Sequence, residues 1–347
     1  MLHNDGYSFE SIFAKFEAMQ VPSWDQHAKN KPRHIAYSNQ IKSIRNPQAL
    51  ANILRAMVSD DLFPNDFIIA QIIKILGKFN QVDVSDWFYN FAIKHELANV
   101  VTHASMIVAA GNNKRVDLAE AAYKKACDAH LADEVTHASM IVAAGNNKRV
   151  DLAEAAYKKA CDANLANEVT HASMIDVLVF NNRLADASAI YRVNKLVVNS
   201  KKSEQDGFLE IDLHGQTYGT TYIALYDLLS SNKQPQTLTL IVGKGLHSKH
   251  NNQDDEMARE HAVRQAVIDI SKKIVGCQLQ EDKNNAGCIK FLYKPSMLNP
   301  AAKVFKPAQS ELISYSLFPA TSAVSNNQVP SAASSSSLSF ESKGATL

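Results

Sequence analysis

The sequence carries almost no net charge, since 36 Lys and Arg residues balance 35 Asp and Glu residues over 347 positions. No global positive field therefore draws the protein onto nucleic acid or a membrane, and any affinity for phosphate must come from a local arrangement. An apolar run near the ~20 residues of a membrane-spanning helix is also lacking. The first residues lack the charged-then-apolar pattern of a signal peptide, so we expect a cytoplasmic protein without a membrane partner.

Cysteine is scarce, and none of its positions forms a CxxC pair. The cysteines are Cys127, Cys161, Cys277 and Cys288. The absence of paired spacing argues against a zinc site or a disulfide framework. We expect buried, reduced thiols in a cytosolic compartment.

The middle of the chain contains a repeat. Residues 101–129 recur letter for letter at 135–163, and VTHASMI returns at 169–175, so the period is 34 residues. Each unit splits into two apolar-periodic segments on either side of GNNKRVD, which we interpret as a Gly/Asn turn. Weaker copies extend the pattern to about five units over 34–196. Because one helical pair cannot bury its apolar face alone, the pattern predicts a right-handed α-solenoid of helix-turn-helix repeats.

The order VTHASMI … GNNKRVDLAEAAYKKACDANLAN resembles a pentatricopeptide repeat, and it lacks the Trp and Gly-Tyr signature of tetratricopeptide repeats. This resemblance implies binding of single-stranded RNA at one base per repeat. The first base-selecting position of each repeat falls on Ala104, Ala138 and Ala172. Alanine cannot hydrogen-bond a base edge, whereas Asp133 and Asn167 at the second position can. These two are the candidate groove residues.

The charges within each repeat nearly cancel, which leaves open a solenoid that binds a protein partner or acts as a spacer. The recurring histidines His103, His137 and His171 are separated by a full repeat. Metal ligands must converge within a few ångströms, so we expect these histidines to pack between helices or line the groove.

The composition predicts five segments. They are an N-terminal helical extension (1–33), the repeats (34–198), a linker (199–207), a second domain (208–295) and a Ser-rich tail (296–347). The tail is expected to be disordered, and its composition leaves open a bacterial secretion signal. In the second domain, strands at 208–213, 237–242 and 288–294 alternate with two helices. This order predicts a small α/β sandwich.

The segment IVGKGLHSKH at 241–250 lies between a strand and a helix. It is not a P-loop, because Leu238 stands where the first glycine is needed. The first strand ends in IDLHG, where period-two alternation predicts Asp212 and His214 on one side. If the two strands are parallel, both ends open onto one edge of the sheet, where such folds bind ligands. Lys244 and His247 would then join Asp212 and His214 around one phosphate.

The motifs IDLHG (211–215) and VGKGLHS (242–248) resemble the two signatures of the Smr (small MutS-related) domain. The resemblance implies nucleic-acid cleavage, by nicking of DNA or by endonucleolytic cutting of RNA. RNA is the usual implication after pentatricopeptide repeats. It also implies Asp212 and His214 as the catalytic pair. The residues that would bind the nucleic-acid phosphate are Gly215, Gly243, Lys244, Gly245, His247 and Ser248.

Histidine suits acid–base work near neutral pH, and Asp212 could orient His214 or bind Mg²⁺ or Mn²⁺. The 2′-OH of RNA offers a metal-independent route, so the sequence leaves the cofactor open. Three hypotheses follow: an RNA endonuclease guided by its repeats, a non-catalytic RNA- or ribosome-binding adaptor, and a DNA-nicking protein whose repeats bind a protein partner.

Overall fold

A computed structural model describes residues 9–194, 196, 198–202, 208–231, 236–243, 253–273, 277–282, 285 and 287–293. All of them belong to one compact unit, Met1–Leu317. The described part begins with helix α1 and continues with five helical pairs. Their bounds are α1 Glu10–Ala18, α2 Trp24–Lys42, α3 Pro47–Ser59, α4 Asp66–Lys78, α5 Val82–Lys94, α6 Val100–Asn112, α7 Val116–Asp128, α8 Glu134–Asn146, α9 Val150–Asp162, α10 Glu168–Phe180 and α11 Leu184–Val193.

The helical pairs follow the sequence period. Helices α4, α6, α8 and α10 begin 34 residues apart, and so do α5, α7, α9 and α11. The protein is therefore mostly an array of helical repeats. The predicted start of the array at residue 34 falls inside α2. That helix already begins after Ser23, whose backbone N–H donates to Gln26 Oε1 at 3.0 Å and closes a capping box.

The first helices of the last four pairs start at a side-chain cap. Asn99 Oδ1 accepts the Thr102 N–H at 3.0 Å, and Asn65 caps α4 in the same way. Such a cap stabilises a helix by about 1 kcal/mol. The turn into the second helix has Lys114 in the left-handed region at φ 60°, and the Arg115 N–H reaches back to the Ala110 carbonyl at 2.9 Å. Caps and turns of this kind recur in the last four pairs, whose first helices are all 13 residues long.

Gly111 serves helix packing rather than the turn in which the sequence predicted it. It lies inside α6, and a Cβ added there would approach Ala143 Cβ to 2.5 Å and Ala143 Cα to 2.8 Å. Gly77 faces Ala109 in the same manner one repeat earlier, at 2.6 Å. The glycines therefore allow consecutive first helices to approach closely.

The recurring histidines lie between helices, as expected. His103 is buried, and its Nδ1 lies 2.9 Å from the Tyr89 hydroxyl of the preceding repeat. The same pairing joins Tyr123 to His137 at 2.7 Å, and a third joins Tyr157 to His171. We call these three contacts the Tyr–His rungs. They connect each second helix to the first helix of the next pair.

The remaining described segments form a small mixed sheet with two helices. Its elements are β1 Asn199–Lys202, β2 Leu209–Asp212, α12 Tyr218–Ser231, β3 Gln236–Ile241, α13 Gln253–Lys273, β4 Gln278–Glu281 and β5 Cys288–Tyr293. The strand order is β1-β2-β3-β5-β4, with β2 and β3 parallel and the other pairs antiparallel. Residues 199–202, predicted as part of a linker, instead form strand β1, because they hydrogen-bond to β2. Strand β4 was not predicted.

The cysteines are free thiols. Cys288 is buried, but Cys161 is exposed, so the expectation of uniform burial is wrong. Cys161 lies in the last turn of α9, beside the exposed Lys158–Asp162 ion pair. Among the described helices, none is both long and apolar enough to cross a bilayer. The Ser-rich tail lies outside the described residues.

Candidate nucleic-acid site

The candidate site lies where two parallel strands end. Asp212 pairs with Ile241 in the register of β2 and β3, and the Leu213 N–H donates to the Ile241 carbonyl at 2.9 Å. Asp212 is the last residue of β2, and Gly243 follows β3 by two residues. Both therefore lie at the carboxyl edge of the parallel pair, where α/β sheets bind ligands.

His214 reaches this edge through a turn rather than through strand alternation. It follows the end of β2, and its backbone N–H donates to Asp212 Oδ1 at 2.9 Å. The turn continues into Gly215 at φ 78°, and Gly243 is also left-handed at φ 89°. An L side chain rarely adopts this conformation, so both glycines are required by the backbone. The prediction that strand alternation positions His214 is therefore wrong, because His214 lies in a turn after β2. His214 nevertheless lies at the expected edge of the sheet.

The side chains at this edge differ in exposure. His214 and Gly215 are exposed, and a Cβ added to Gly215 would meet nothing within 4 Å. Asp212 is half-buried. The loop after β2 is therefore accessible from solvent at His214 and Gly215. The other predicted phosphate-binding residues lie outside the described residues; they are Lys244, Gly245, His247 and Ser248.

A second loop, missed by the sequence reasoning, borders the same edge. The Gly287 carbonyl accepts the Val242 N–H at 2.8 Å, so the turn before β5 lies next to the end of β3. This turn contains Asp282 and Asn285, and Asn285 Oδ1 accepts the Gly287 N–H at 3.1 Å. The polar stretch EDKNNAG before β5 was the available signal. Within the described residues, no group of three or more His, Cys, Asp or Glu is arranged to hold a metal ion.

The candidate groove residues of the array act as helix caps. Asp133 Oδ1 accepts both the N–H and the hydroxyl of Thr136 at 2.8 Å, and Asn167 caps α10 likewise. Ala104 and Ala138 are buried, at 0% and 1% exposure, so neither side chain is accessible to a ligand. These two residues therefore cannot select a base, because their side chains are buried and cannot form a hydrogen bond.

Apolar side chains are exposed beside these caps. Phe67 is 42% exposed, Val101 48% and Val169 51%, and each is the second residue of its helix. Val135 occupies the same position in α8 and is half-buried. We call Phe67, Val101, Val135 and Val169 the exposed stripe. Its residues are 34 positions apart, so the stripe has one residue in each of four consecutive repeats.

Comparisons with known proteins add little to this geometry. No family model matches the chain. No curated protein matches it either. Among solved structures, the chain is similar to the crystal structure of the pentatricopeptide repeat protein PPR10 in complex with an 18-nt PSAJ RNA element, at 12% identity and a TM-score of 0.41. That similarity covers 53% of this chain and 29% of the other, so this chain spans under a third of that protein's length. At this score it supports no conclusion about function.

Proposed function

We propose that this protein is an RNA endonuclease in which the helical repeats hold single-stranded RNA and an Smr-like domain hydrolyses it. The observation that carries the proposal is the parallel pairing of β2 with β3. That pairing brings Asp212, His214 and Gly243 to one edge of the sheet. Such edges are the usual ligand sites of α/β sheets.

The chemistry assigned to the site is phosphodiester hydrolysis. His214 is the proton donor or acceptor, because histidine is the most frequent acid–base residue and this one is exposed. Asp212 Oδ1 accepts the backbone N–H of His214 at 2.9 Å and so stabilises the turn that contains His214. Gly215 and Gly243 let a phosphate approach the backbone without a side chain in the way. Asp212 is also the candidate ligand for Mg²⁺ or Mn²⁺, whose preference for oxygen suits one carboxylate plus phosphate.

The exposed stripe supports RNA binding along the array. Phe67 offers an exposed aromatic ring on which a base can stack whatever the sequence, and the valines extend the apolar surface beside it. Because Ala104 and Ala138 are buried, we propose RNA binding with little base selectivity. An exposed apolar stripe is also typical of protein interfaces, which keeps a protein-binding array as the second candidate.

Cleavage of a labelled single-stranded RNA by the full-length protein tests the proposal. His214→Ala should slow cleavage by roughly 10²- to 10⁴-fold, the usual effect of losing an acid–base group. Asp212→Asn should act in the same direction, since it removes the charge and keeps the shape. His261→Ala, a change at another exposed histidine of the same domain, should leave the rate unchanged.

Two outcomes would contradict the proposal. RNA that binds but stays intact in Mg²⁺, Mn²⁺ and EDTA would favour the non-catalytic RNA- or ribosome-binding adaptor. Cleavage of DNA with no binding of RNA would favour a DNA-nicking protein with a protein-binding array. Equal rates for the wild type and His214→Ala would overturn the site assignment alone.

A further inference from the structure

The first helix of the sheet domain packs directly on the last repeat. The Phe180 ring of α10 stacks on Tyr218 of α12, with centroids 4.9 Å apart. On α11, the Ser188 hydroxyl donates to Asp227 Oδ1 at 2.8 Å, and Arg192 Nε donates to Asp227 Oδ2 at 2.7 Å. These contacts join the array to the helix that follows the candidate site.

A buried carboxyl group lies at the centre of this junction. Asp176 of α10 is 8% exposed, and its Oδ1 accepts the Gly219 N–H at 2.6 Å and the Thr217 hydroxyl at 2.7 Å. Gly219 is needed there, because an added Cβ would lie 2.5 Å from Asp176 Oδ1 and 2.7 Å from Asp176 Cα. The contact is therefore both polar and sterically close.

The repeats themselves provide an internal comparison for Asp176. The first two copies of the repeat have Val108 and Val142 at this position, and only the third copy has an aspartate. The first two copies face another repeat, whereas the third faces α12. Asp176 thus replaces an apolar residue at the one copy whose neighbour presents Gly219 N–H and Thr217 to it.

Asp176 also bears on the candidate site. Thr217 ends the loop 213–217 that carries His214 and Gly215. One end of this loop is held by the bond from Leu213 N–H to Ile241, and the other by Asp176. We propose that Asp176 is a positioning residue, which fixes the loop of His214 and the orientation of the site on the array. Its effect on catalysis rests on the function proposed above, whereas its hold on the loop does not.

Hydrogen exchange of the full-length protein tests the hold on the loop. Asp176→Val, the residue of the other two copies, should raise exchange over residues 213–222 by about 10- to 100-fold, the effect of losing two buried hydrogen bonds. Asp176→Asn keeps an acceptor oxygen and should restore protection to near wild type. Thr217→Val removes the hydroxyl that donates to Asp176 and accepts the Thr220 N–H at 3.2 Å, so it should also raise exchange. Exchange over 101–146 should stay unchanged in all three variants, which shows that the array remains folded.

Cleavage kinetics separate positioning from simple stability. Asp176→Val should lower kcat about 10-fold or more with little change in RNA affinity, and Asp176→Asn should recover most of it. The proposal would be overturned if Asp176→Val exchanged over residues 213–222 at the wild-type rate. It would also be overturned if Asp176→Val and Asp176→Asn raised that rate equally. If the wild type cuts no RNA, the exchange result still decides the role of Asp176 while the endonuclease proposal alone fails. If Asp176→Val exchanges faster over residues 213–222 but keeps the wild-type kcat, Asp176 only joins the two domains, and its proposed role at the site is overturned.

Discussion

The three related copies of the repeat differ in what they contact. The copies at 101–129 and 135–163 are identical and each precedes another repeat, while the third, from 169, precedes the sheet domain. Where the first two have Gly111 and Gly145, the third has Val179, and Phe180 stacks on Tyr218. The third copy keeps VTHASMI and diverges immediately after it. The third copy thus keeps its first turns and changes the residues that face the sheet domain, and it also has Val177 in place of alanine where it packs on Gly145 of its predecessor.

The largest expected effect comes from filling the glycine gap between identical copies. Gly111→Val should lower the free energy of unfolding by about 3 kcal/mol, since its Cβ alone overlaps Ala143 and the overpacked helices must separate. Urea denaturation followed by circular dichroism measures the change. Ala121→Val on the exposed face of α7 is the matched control and should cost about 0.6 kcal/mol, the helix-propensity difference. Similar losses for both variants would remove close approach as the reason for Gly111.

A smaller effect should follow from breaking one Tyr–His rung. Tyr123→Phe leaves the buried Nδ1 of His137 without its 2.7 Å partner and should cost about 1–3 kcal/mol of unfolding free energy. Tyr157→Phe should cost less, because His171 in the third copy is only half-buried and water can replace the hydroxyl. Thermal unfolding of the two variants side by side measures the difference. Equal losses would show that burial of the rung does not set its strength.

Acidification should weaken the array and strengthen the junction. Burial lowers the pKa of His103 and His137 below the ordinary 6.5, so unfolded chains bind more protons and array stability falls as pH drops below about 6.5. Burial raises the pKa of Asp176 from 3.8 to about 7, so docking takes up a proton and strengthens as pH falls from about 7 toward 4. The neighbouring Tyr218 stays neutral throughout, because burial raises its pKa.

Hydrogen exchange at several pH values measures both trends in one sample. Protection over 213–222, relative to Asp176→Asn at the same pH, should rise as pH falls, while protection around His137 should decline. The Asn variant supplies the control because its amide does not titrate in this range. A junction that loosens on acidification as much as the array does would contradict the assignment of a buried carboxyl group to it.

The periodic part of the fold could be predicted from the sequence, and the departures have physical reasons. Identical segments must form identical pairs, so the helices and their spacing followed from the 34-residue period. The role of Gly111 did not, because it depends on a helix 34 residues away. Strands β1 and β4 are four residues long and mostly polar, so they lack an apolar pattern and form through pairing with β2 and β5.

The candidate site was predictable in its location and less so in its geometry. Asp212 and Gly243 reach one edge because β2 and β3 are parallel, as the strand–helix–strand order indicates. The turn at His214 depends on a backbone bond to Asp212 that no periodicity reveals. The signal for Asp176 was a single change, from the valine of two copies to an aspartate in the third.

If the array holds RNA for the site in the sheet domain, as we propose, shortening the array should shorten the bound RNA. Deleting residues 101–168 removes two whole units and lets Tyr89 meet His171 in place of His103, so the chain should stay folded. The most direct measurement is a nuclease-protection footprint of this variant and the wild type on one long single-stranded RNA. We expect a footprint shorter by about two nucleotides, one for each deleted repeat. A footprint of unchanged length in a folded variant would contradict it and make the array a protein-binding element.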